Sequence, residues 1–514
     1  MTTTRFAETS RATPILRRAE PRVVAVLFSA VAAAAFLIVS PPVGDLWAAR
    51  ARASAAIHGV GLDYWFAWFG GTVPGQYSVL APYLARLLDV GLLGAAASVV
   101  VTFLTARLVR GSHHPVAATW AAAIGMGFSL WSGRVPFALG TAGMIATLLA
   151  VRHARRYTAV AAGVVTALLS PVSGAFLVLG LAGVIAHDRR RRLTAILTAG
   201  SAALCLLIVA LYFGLPGPEG FPILHAAAAS GAVAAMLLAR PARYVRTVLL
   251  VSLLACPVLL IVPNGLGTNF ERFTWICLPV ATVATAQARL VIARLAPVLG
   301  LLAGIVGSAH DLAVAADPMS SPSYSAGLVS ELDRLDATAD YRLEVVPDGT
   351  HVAAYALLNH AQLARGFETQ EDHAVNSVLY SSTLTPASYR TWLDQNAVRW
   401  VAIDTQTLTG SPEDTLVRHG RLRYLHRIWS DAHWTLFEVT AATPIISRPA
   451  RIVRAGQAAM EIAVPTPGQY ALHVRWSRFL QLRSGQGQLG DIKPDSHGWT
   501  TMFAPTAGRY QLTG

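Results

Sequence analysis

Carboxylates are scarce in the first 308 residues of this 514-residue chain, which hold eight acids against 24 arginines. Three of the eight lie in an arginine-rich tail or loop and are interpreted as cytoplasmic: Glu8, Glu20 and Asp188. The other five are expected on or near the outer face of a membrane, which the apolar composition described below predicts: Asp45, Asp63, Asp89, Glu219 and Glu271. A carboxylate at a membrane boundary is costly to bury unless it is paired, so these five are candidates for a functional role such as general-base catalysis.

The segment from residue 41 to residue 89 concentrates side chains that can bind or deprotonate a substrate. Its candidates are Asp45, His58, Asp63, Trp68 and Tyr77. Asp45 stands next to an Ala-rich stretch, 46–57, whose composition predicts a helix along the membrane surface. Two interpretations stay open. In one, Asp45 caps that helix and the tryptophans form an interfacial belt; in the other, Asp45 is a positioned base.

Two outward turns add arginine, a side chain suited to binding phosphate through a two-pronged hydrogen bond. Arg134 follows the tight turn Ser132-Gly133, and Arg272 ends a longer loop that contains Asn264 and Glu271. The alternatives are ordinary structural roles. Arg272 would then pair with Glu271 or another acid, and Arg134 would extend to lipid headgroups.

The composition excludes several classes of protein. The chain is 54% hydrophobic and only 13% charged, whereas a soluble domain carries about 25% charged residues. Its formal net charge is +13, but the excess arginines lie in clusters between apolar segments. That is the positive-inside pattern of membrane proteins and not the pattern of a nucleic-acid-binding face. We therefore expect membrane lipids, and no nucleic acid, as partners.

Apolar segments of membrane-crossing length account for most of the first 308 residues. They occupy residues 23–40, 90–108, 115–131, 135–151, 157–186, 193–213, 222–239, 246–263, 273–288 and 294–308. The segment 157–186 has arginines at both ends and is interrupted at Ser170-Pro171, so we interpret it as two short passes. This predicts a cytoplasmic tail at 1–21 and about 11 transmembrane helices in 22–309, with a long first outer loop at 41–89.

The sequence beyond residue 309 has the composition of globular domains on the outer side. In residues 310–440 helix and strand patterns alternate, with a helix expected at 352–363 and a strand at 398–404. This predicts an extracytoplasmic α/β domain. In residues 441–514 short strands are divided by Gly, Pro and Asp turns, which predicts a small extracytoplasmic β-sandwich.

Several kinds of catalytic site lack their motifs in this sequence. It has no P-loop, no Gly-x-Gly-x-x-Gly after a strand and no Gly-x-Ser-x-Gly elbow, so nucleotide hydrolysis and serine-hydrolase chemistry have no support. Its three cysteines and its histidines show no metal-ligand spacing, and no metal ligand is assigned. The acid cluster Glu368, Glu371 and Asp372 is interpreted as a solvated face, with binding of an acceptor sugar as the alternative.

The motifs of the first outer loop resemble those of the GT-C superfamily of membrane glycosyltransferases, and in particular its actinobacterial integral membrane proteins. The loop carries Gly44-Asp45 directly after the first span, then Trp68-Phe69-Gly70-Gly71 and Tyr77-Ser78. Further matching segments are 133–140, 170–174 and 264–272. The resemblance, which covers most of residues 20–310, implies transfer of a sugar from a polyprenyl-phosphate-linked donor. The acceptor would be a cell-envelope glycan, lipid or protein on the outer face.

The resemblance also implies roles for individual residues. Asp45 matches the position of the acid that acts as general base on the acceptor hydroxyl. Arg272 or Arg134 would neutralise the departing lipid phosphate. Many GT-C members carry a second acid in the same loop, and Asp63 is the candidate here. Its spacing matches no motif, so a divalent metal is an option and not an expected cofactor.

Two functions from other classes compete with the enzyme. A non-catalytic membrane protein could hold cell-envelope glycan through its exported domains, and a secondary transporter could use helices broken as at Pro171. The sequence shows no inverted repeat and few ionisable residues within the spans, which disfavours transport. A glycosyltransferase is the function that the sequence favours.

Overall fold

The structure, a computed structural model, describes residues 20–337, 339–347, 349–406 and 409–514. The expected cytoplasmic tail at 1–21 lies outside these residues except for its last two positions. Helices form most of the described chain up to residue 315, and two of them lie within the long loop, residues 41–89. Three sheets and short helices form the C-terminal part, residues 318–514.

Helices dominate the described chain up to residue 315. They are α1 (Pro21–Val39), α2 (Gly44–Ile57), α3 (Ala81–Leu87), α4 (Val90–Leu108), α5 (Pro115–Trp131), α6 (Val135–Arg152), α7 (Arg156–Leu169), α8 (Pro171–His187), α9 (Arg192–Phe213), α10 (Ile223–Leu238), α11 (Arg243–Ile261), α12 (Phe270–Arg272), α13 (Leu278–Thr285) and α14 (Val291–Ala315). A π-helical turn, Phe273–Cys277, joins α12 to α13. Proline opens α1, α5 and α8, because its fixed φ suits the first turn of a helix.

Six helices of the described chain are long and apolar enough to cross a membrane: α1, α4, α6, α9, α11 and α14. The protein is therefore a multi-pass membrane protein. Four other apolar helices, α5, α7, α8 and α10, have 14 to 17 residues. At the helical rise per residue they measure about 21 to 26 Å, against a hydrocarbon core of about 30 Å. The expected count of about 11 transmembrane helices is not confirmed.

The apolar segment 157–186 forms two helices, as its interruption predicted. Ser170 ends α7 and is also the N-cap of α8, where its hydroxyl accepts a hydrogen bond of 3.3 Å from the Ser173 amide. The Ser78 hydroxyl of the long loop donates a 2.9 Å hydrogen bond to the Leu169 carbonyl. The long loop thus supplies a partner for a backbone group that the break in the helix sets free.

The first sheet of the C-terminal part has the strand order β2-β1-β3-β5-β4. Its strands are β1 (Arg342–Val345), β2 (Gln362–Leu363), β3 (Val398–Asp404), β4 (Leu425–Ser430) and β5 (Trp434–Val439). Its helices are α15 (Ala326–Arg334), α16 (Ala353–Ala356), α17 (Thr369–Val375), α18 (Pro386–Gln395) and α19 (Pro412–His419). β1 is parallel to β2 and β3, whereas β5 is antiparallel to both neighbours. The strand expected at 398–404 is confirmed, but 352–363 forms the short α16 and β2 instead of one helix.

Two further sheets pack on one apolar core, in a β-sandwich arrangement. Their strands are β6 (Arg451–Ala455), β7 (Ala459–Val464), β8 (Gly468–Arg475), β9 (Gln481–Ser484), β10 (Asp491–Pro494), β11 (Trp499–Ala504) and β12 (Gly508–Thr513). The sheet orders are β10-β11-β8 and β6-β7-β12-β9. In this core Leu472 and Met502 from the β10-β11-β8 sheet meet Ile462 and Leu512 from the β6-β7-β12-β9 sheet. Polar residues alternate with these along each strand, which gives each sheet one apolar face.

A hairpin in the long loop, Trp65–Thr72, is built into the C-terminal part. The Trp65 and Thr72 backbones bond each other, and Trp65 and Trp68 are each 1% exposed in the core of the first sheet. Phe66, from the opposite side of the hairpin, enters the β-sandwich core. The expectation of an interfacial tryptophan belt is therefore wrong for Trp65 and Trp68, which act as buried core residues.

Candidate functional site

Asp45 is the second residue of α2, and the N-cap position belongs to Val43. The interpretation of Asp45 as the cap of this helix is therefore wrong. Its place in the first turn still favours a carboxylate, because the helix dipole is positive there. Gly44 lies against Phe367 of the C-terminal part, and a Cβ at Gly44 would stand 3.1 Å from that ring. Because Gly44 has no side chain, α2 and the C-terminal part can approach each other closely beside Asp45.

Two guanidinium groups face the Asp45 carboxylate. Arg134 Nε lies 3.5 Å, and Arg272 Nη2 lies 3.6 Å, from Asp45 Oδ2. These distances are those of ion pairs without a short hydrogen bond. Asp311 completes the group by accepting a 3.0 Å hydrogen bond from Arg134 Nη2. We call these four residues the ion cluster. The Asp45 side chain is 37% exposed, so a substrate can reach it.

The ion cluster forms where helix ends converge. Asp45 opens α2, Arg134 precedes α6, Arg272 ends α12 and Asp311 lies near the end of α14. The approach of the α5–α6 turn to α2 depends on Gly133, which has a φ of +77°. A Cβ at this position would lie 2.6 Å from a backbone nitrogen of α2. Only glycine combines this backbone conformation with so close an approach.

Tyr77 connects the ion cluster to the C-terminal part. Its ring lies 3.7 Å from the Cζ atom of Arg52, a cation–π contact, and Arg52 is ion-paired with Glu368. Burial raises the pKa of Tyr77, although the charge of Arg52 opposes the shift. The Tyr77 hydroxyl therefore stays protonated at neutral pH and can donate a hydrogen bond near Asp45.

Glu371 stands beside Glu368 at the same junction between the long loop and the C-terminal part. The Thr72 hydroxyl donates a 2.7 Å hydrogen bond to Glu371 Oε2. Burial, and secondly the charge of Glu368, raise the pKa of Glu371 to about 8, while Arg475 acts in the opposite direction. Glu371 and Asp372 are 8% and 3% exposed. The interpretation of this acid cluster as a solvated face is therefore wrong.

Two of the predicted site residues lie far from Asp45. His58 follows the last residue of α2, with Nδ1 2.8 Å from the Ser54 carbonyl. The helix between them has 14 residues, a length of about 20 Å. Asp63 lies beyond that end of α2 and near Tyr83, whose pKa is raised first by burial and then by the Asp63 charge. The structure does not bring Asp63 into the ion cluster.

Three other predicted residues have partners of their own. Trp68 donates from Nε1 to a backbone carbonyl of α16 at 3.2 Å. Asn264 Oδ1 accepts hydrogen bonds of 2.9 Å from two amides of the following turn, which orders the approach to α12. Glu271 Oε1 lies 2.8 Å from His225 Nδ1. Glu271 pairs with His225 and not with Arg272, whereas Arg272 pairs with another acid, Asp45, as the second form of the structural alternative expected.

Three charged residues of this region were not predicted from the sequence: Asp311, Arg52, and Glu368 as a partner of Arg52. The last apolar segment was expected to end at 308, but α14 continues to Ala315. Asp311 is thus on a membrane helix, one turn beyond Ser308, and an extension of the apolar pattern by one turn would have revealed it. The pairing of Arg52 with Glu368 spans more than 300 residues of sequence and leaves no local signal.

The surroundings of Asp45 do not suit a metal ion. The described residues contain no group of three or more His, Cys, Asp or Glu side chains that could hold one. Two guanidinium groups lie near Asp45 Oδ2, and their positive charge opposes the binding of a divalent cation to this carboxylate.

Comparison by structure finds similar chains among glycosyltransferases. Three structures of arabinofuranosyltransferase AftD from mycobacteria, two of them of a variant, match with 12% sequence identity and TM-scores of 0.43, 0.41 and 0.40. The match covers 96% of this chain but only 57% to 59% of those chains. No protein-family model and no curated protein matches the sequence. At this identity and these TM-scores, no residue role and no activity passes from AftD to this chain.

Proposed function

We propose that the protein is a membrane glycosyltransferase. It would transfer a sugar from a polyprenyl-phosphate-linked donor to a hydroxyl of a cell-envelope glycan, lipid or protein. The observation that carries this proposal is the ion cluster, in which an accessible carboxylate, Asp45, lies between two guanidinium groups. A base for the acceptor and positive charge for the leaving phosphate are the two requirements of this reaction.

The reaction assigns a task to each charged group. The acceptor oxygen attacks the anomeric carbon of the donor, and the bond from that carbon to the phosphate oxygen breaks. The hydroxyl proton passes to Asp45, and the bond electrons leave with the lipid phosphate. Arg272 or Arg134 supplies the positive charge that stabilises this phosphate, and the protonated hydroxyl of Tyr77, which interacts electrostatically with Asp45, is a further hydrogen-bond donor in the region. The products are the glycosylated acceptor and polyprenyl phosphate.

The proposal includes a topology. Residues 1–21 would be cytoplasmic, and residues 22–309 would cross the membrane about 11 times, with the short helices α5, α7, α8 and α10 among the crossings. Domains at 310–440 and 441–514 would lie outside. The arginine clusters at one end of the helices support this orientation. The ion cluster would then face the outer leaflet, where lipid-linked sugars and cell-envelope acceptors meet.

The experiment uses purified protein in proteoliposomes with radiolabelled polyprenyl-phosphate sugars and a cell-envelope acceptor extract. Asp45→Asn should lower the rate of sugar transfer by about 100-fold or more without changing the melting temperature. Asp89→Asn is the matched control, because Asp89 caps α4 by accepting from the Leu92 amide and is not part of the ion cluster, and asparagine caps helices equally well. Parental rates in Asp45→Asn would refute the assignment of the base.

Two other outcomes would replace the proposed function. Binding of the acceptor glycan without turnover by any donor would support a non-catalytic envelope protein. Ion-coupled uptake of a solute into the proteoliposomes would support a transporter.

A further inference from the structure

The two arginines that face Asp45 differ in how many of their hydrogen-bond donors are already used. Arg134 donates from Nη2 to Asp311 at 3.0 Å, and its Nε lies 3.5 Å from Asp45. Its guanidinium is thus placed between two carboxylates. Arg272 reaches Asp45 only at 3.6 Å, and its guanidinium donates no hydrogen bond to any residue in the described part of the chain.

We propose that Asp311 is a positioning residue, which holds Arg134 as the fixed counter-ion of Asp45 and leaves Arg272 as the guanidinium that binds the donor phosphate. The inference rests on the proposed function. It assigns the binding of the donor phosphate to Arg272 alone, whereas the sequence left both arginines as candidates. The ligand of Arg272 would be the phosphate of a prenyl phosphate.

Electrostatics separates the two arginines. A phosphate that approached Arg134 would meet the negative charges of Asp45 and Asp311 and would have to displace a hydrogen bond between charged groups. Among the described residues Arg272 is ion-paired with one carboxylate, Asp45, and interacts with Asp311 without forming an ion pair. It has up to five N–H donors to offer. Its Cζ atom lies 5.7 Å from the Phe137 ring, a cation–π contact that helps to hold the guanidinium in place. A restrained fork of this kind suits two phosphate oxygens.

Asp311 is placed firmly enough to orient Arg134. Three residues before it on α14, the Ser308 hydroxyl bonds the Ser132 hydroxyl at 2.9 Å and the Phe128 carbonyl at 3.1 Å. These bonds fix α14 to the turn that carries Arg134. Arg134 and Asp311 therefore approach each other from two elements that are already joined.

The same helix also connects to α2. Beyond the end of α14, the Ser320 carbonyl accepts a 3.2 Å hydrogen bond from Trp47 Nε1, and Trp47 lies two residues after Asp45. The base, its counter-ion and Asp311 thus form one connected unit. Arg272, on α12, meets this unit through its ion pair with Asp45 and through the Phe137 ring on α6.

The test compares three variants of the full chain: Arg272→Gln, Arg134→Gln and Asp311→Asn. The probe is farnesyl phosphate, with inorganic phosphate and farnesol as separate arms, and binding is measured by calorimetry in detergent. Arg272→Gln should weaken farnesyl phosphate binding about 10-fold or more, the loss of a charge-assisted hydrogen bond, whereas the other two should change it by less than about threefold. Binding of farnesol should not respond to any of the three.

Kinetics then distinguish a positioning role from a merely structural one. Asp311→Asn and Arg134→Gln should lower kcat at an unchanged donor KM, and the double variant should be no slower than the worse single variant, since both changes break one unit. Arg272→Gln should raise the donor KM, and Arg272→Lys should restore part of the binding because a point charge remains. Melting temperatures serve as the folding control.

Several results would overturn the inference. Equal losses of binding in Arg134→Gln and Arg272→Gln would mean that the two arginines share the phosphate. Unchanged binding in Arg272→Gln, or no binding by the parent protein, would place the phosphate elsewhere. A protein that binds farnesyl phosphate in the expected pattern but transfers no sugar would refute the proposed function and leave the division between the arginines standing.

Discussion

Glu371→Gln should make the junction between the long loop and the C-terminal part less sensitive to pH. The pKa of Glu371 is raised from 4.5 to about 8 by burial and by Glu368. Between these values Glu371 is protonated in the folded protein and ionised in the unfolded chain. Its contribution to stability is therefore complete below pH 4.5 and is lost as the pH rises to about 8. At about 1.4 kcal/mol per unit, the full loss is at most about 5 kcal/mol.

Glutamine imitates the protonated carboxyl group. Its amide oxygen can still accept from Thr72, and its NH₂ group can donate to Glu368, so the variant keeps both neighbours while it cannot ionise. At pH 5.5, one unit above 4.5, the variant should be more stable than the parent by only about 1 kcal/mol, whereas at pH 8.5 it should be more stable by about 3 to 5 kcal/mol. The neighbouring charges that face this site are Glu368, Arg475 and, through Glu368, Arg52.

Hydrogen–deuterium exchange of the full-length protein in nanodiscs would measure this difference locally. Amides of α17 and of the hairpin Trp65–Thr72 should exchange faster in the parent at pH 8.5 than at pH 5.5, after correction for intrinsic rates, and this increase should vanish in Glu371→Gln. Glu438→Gln is the control, since Glu438 pairs with Arg399 in the sheet, away from this junction. Equal pH dependence in parent and Glu371→Gln would refute the reasoning.

Three further substitutions test the packing that supports the site. Trp68→Ala should lower the free energy of unfolding by about 3 to 5 kcal/mol, measured by thermal denaturation, because it empties a buried position. Gly71→Ala should unfold the hairpin, detected by limited proteolysis, since φ is +123° and a Cβ would lie 1.6 Å from the Tyr64 hydroxyl. Arg365→Met should destabilise by about 3 to 5 kcal/mol in the same denaturation assay, because it leaves the buried Asp372 and Glu413 without their shared cation.

The helices and the membership of the ion cluster could be predicted from the sequence to a large extent. Long apolar segments bounded by arginines marked the helices, since a helix in lipid satisfies its own backbone groups. Asp45, Arg134 and Arg272 are far apart in sequence but were all expected on the outer side, which is why they emerged as one candidate site. The two guanidinium groups lie within 3.6 Å of the Asp45 carboxylate. This proximity results from the tertiary structure and could not be predicted from their common location on the outer side.

The rest depended on contacts between distant segments. Trp65 and Trp68 have the composition of an interfacial belt, yet they fill the core of a sheet whose strands begin nearly 280 residues later. The segment 352–363 has a helical pattern, but Gln362 and Leu363 pair with β1, and the energy of this pairing outweighs the local preference. Asp63 had the residue type of a second acid, but it lies beyond the other end of α2.

The long loop couples the chemistry to the folding of the C-terminal part. Its hairpin completes two separate cores there, while α2, earlier in the same loop, presents Asp45 to Arg134 and Arg272. Arg52 lies between these regions and joins Tyr77 to Glu368. The position of Asp45 is therefore fixed jointly by the membrane helices and by domains that begin near residue 318. A change that loosens either core should alter the geometry at Asp45 before it alters the helices themselves.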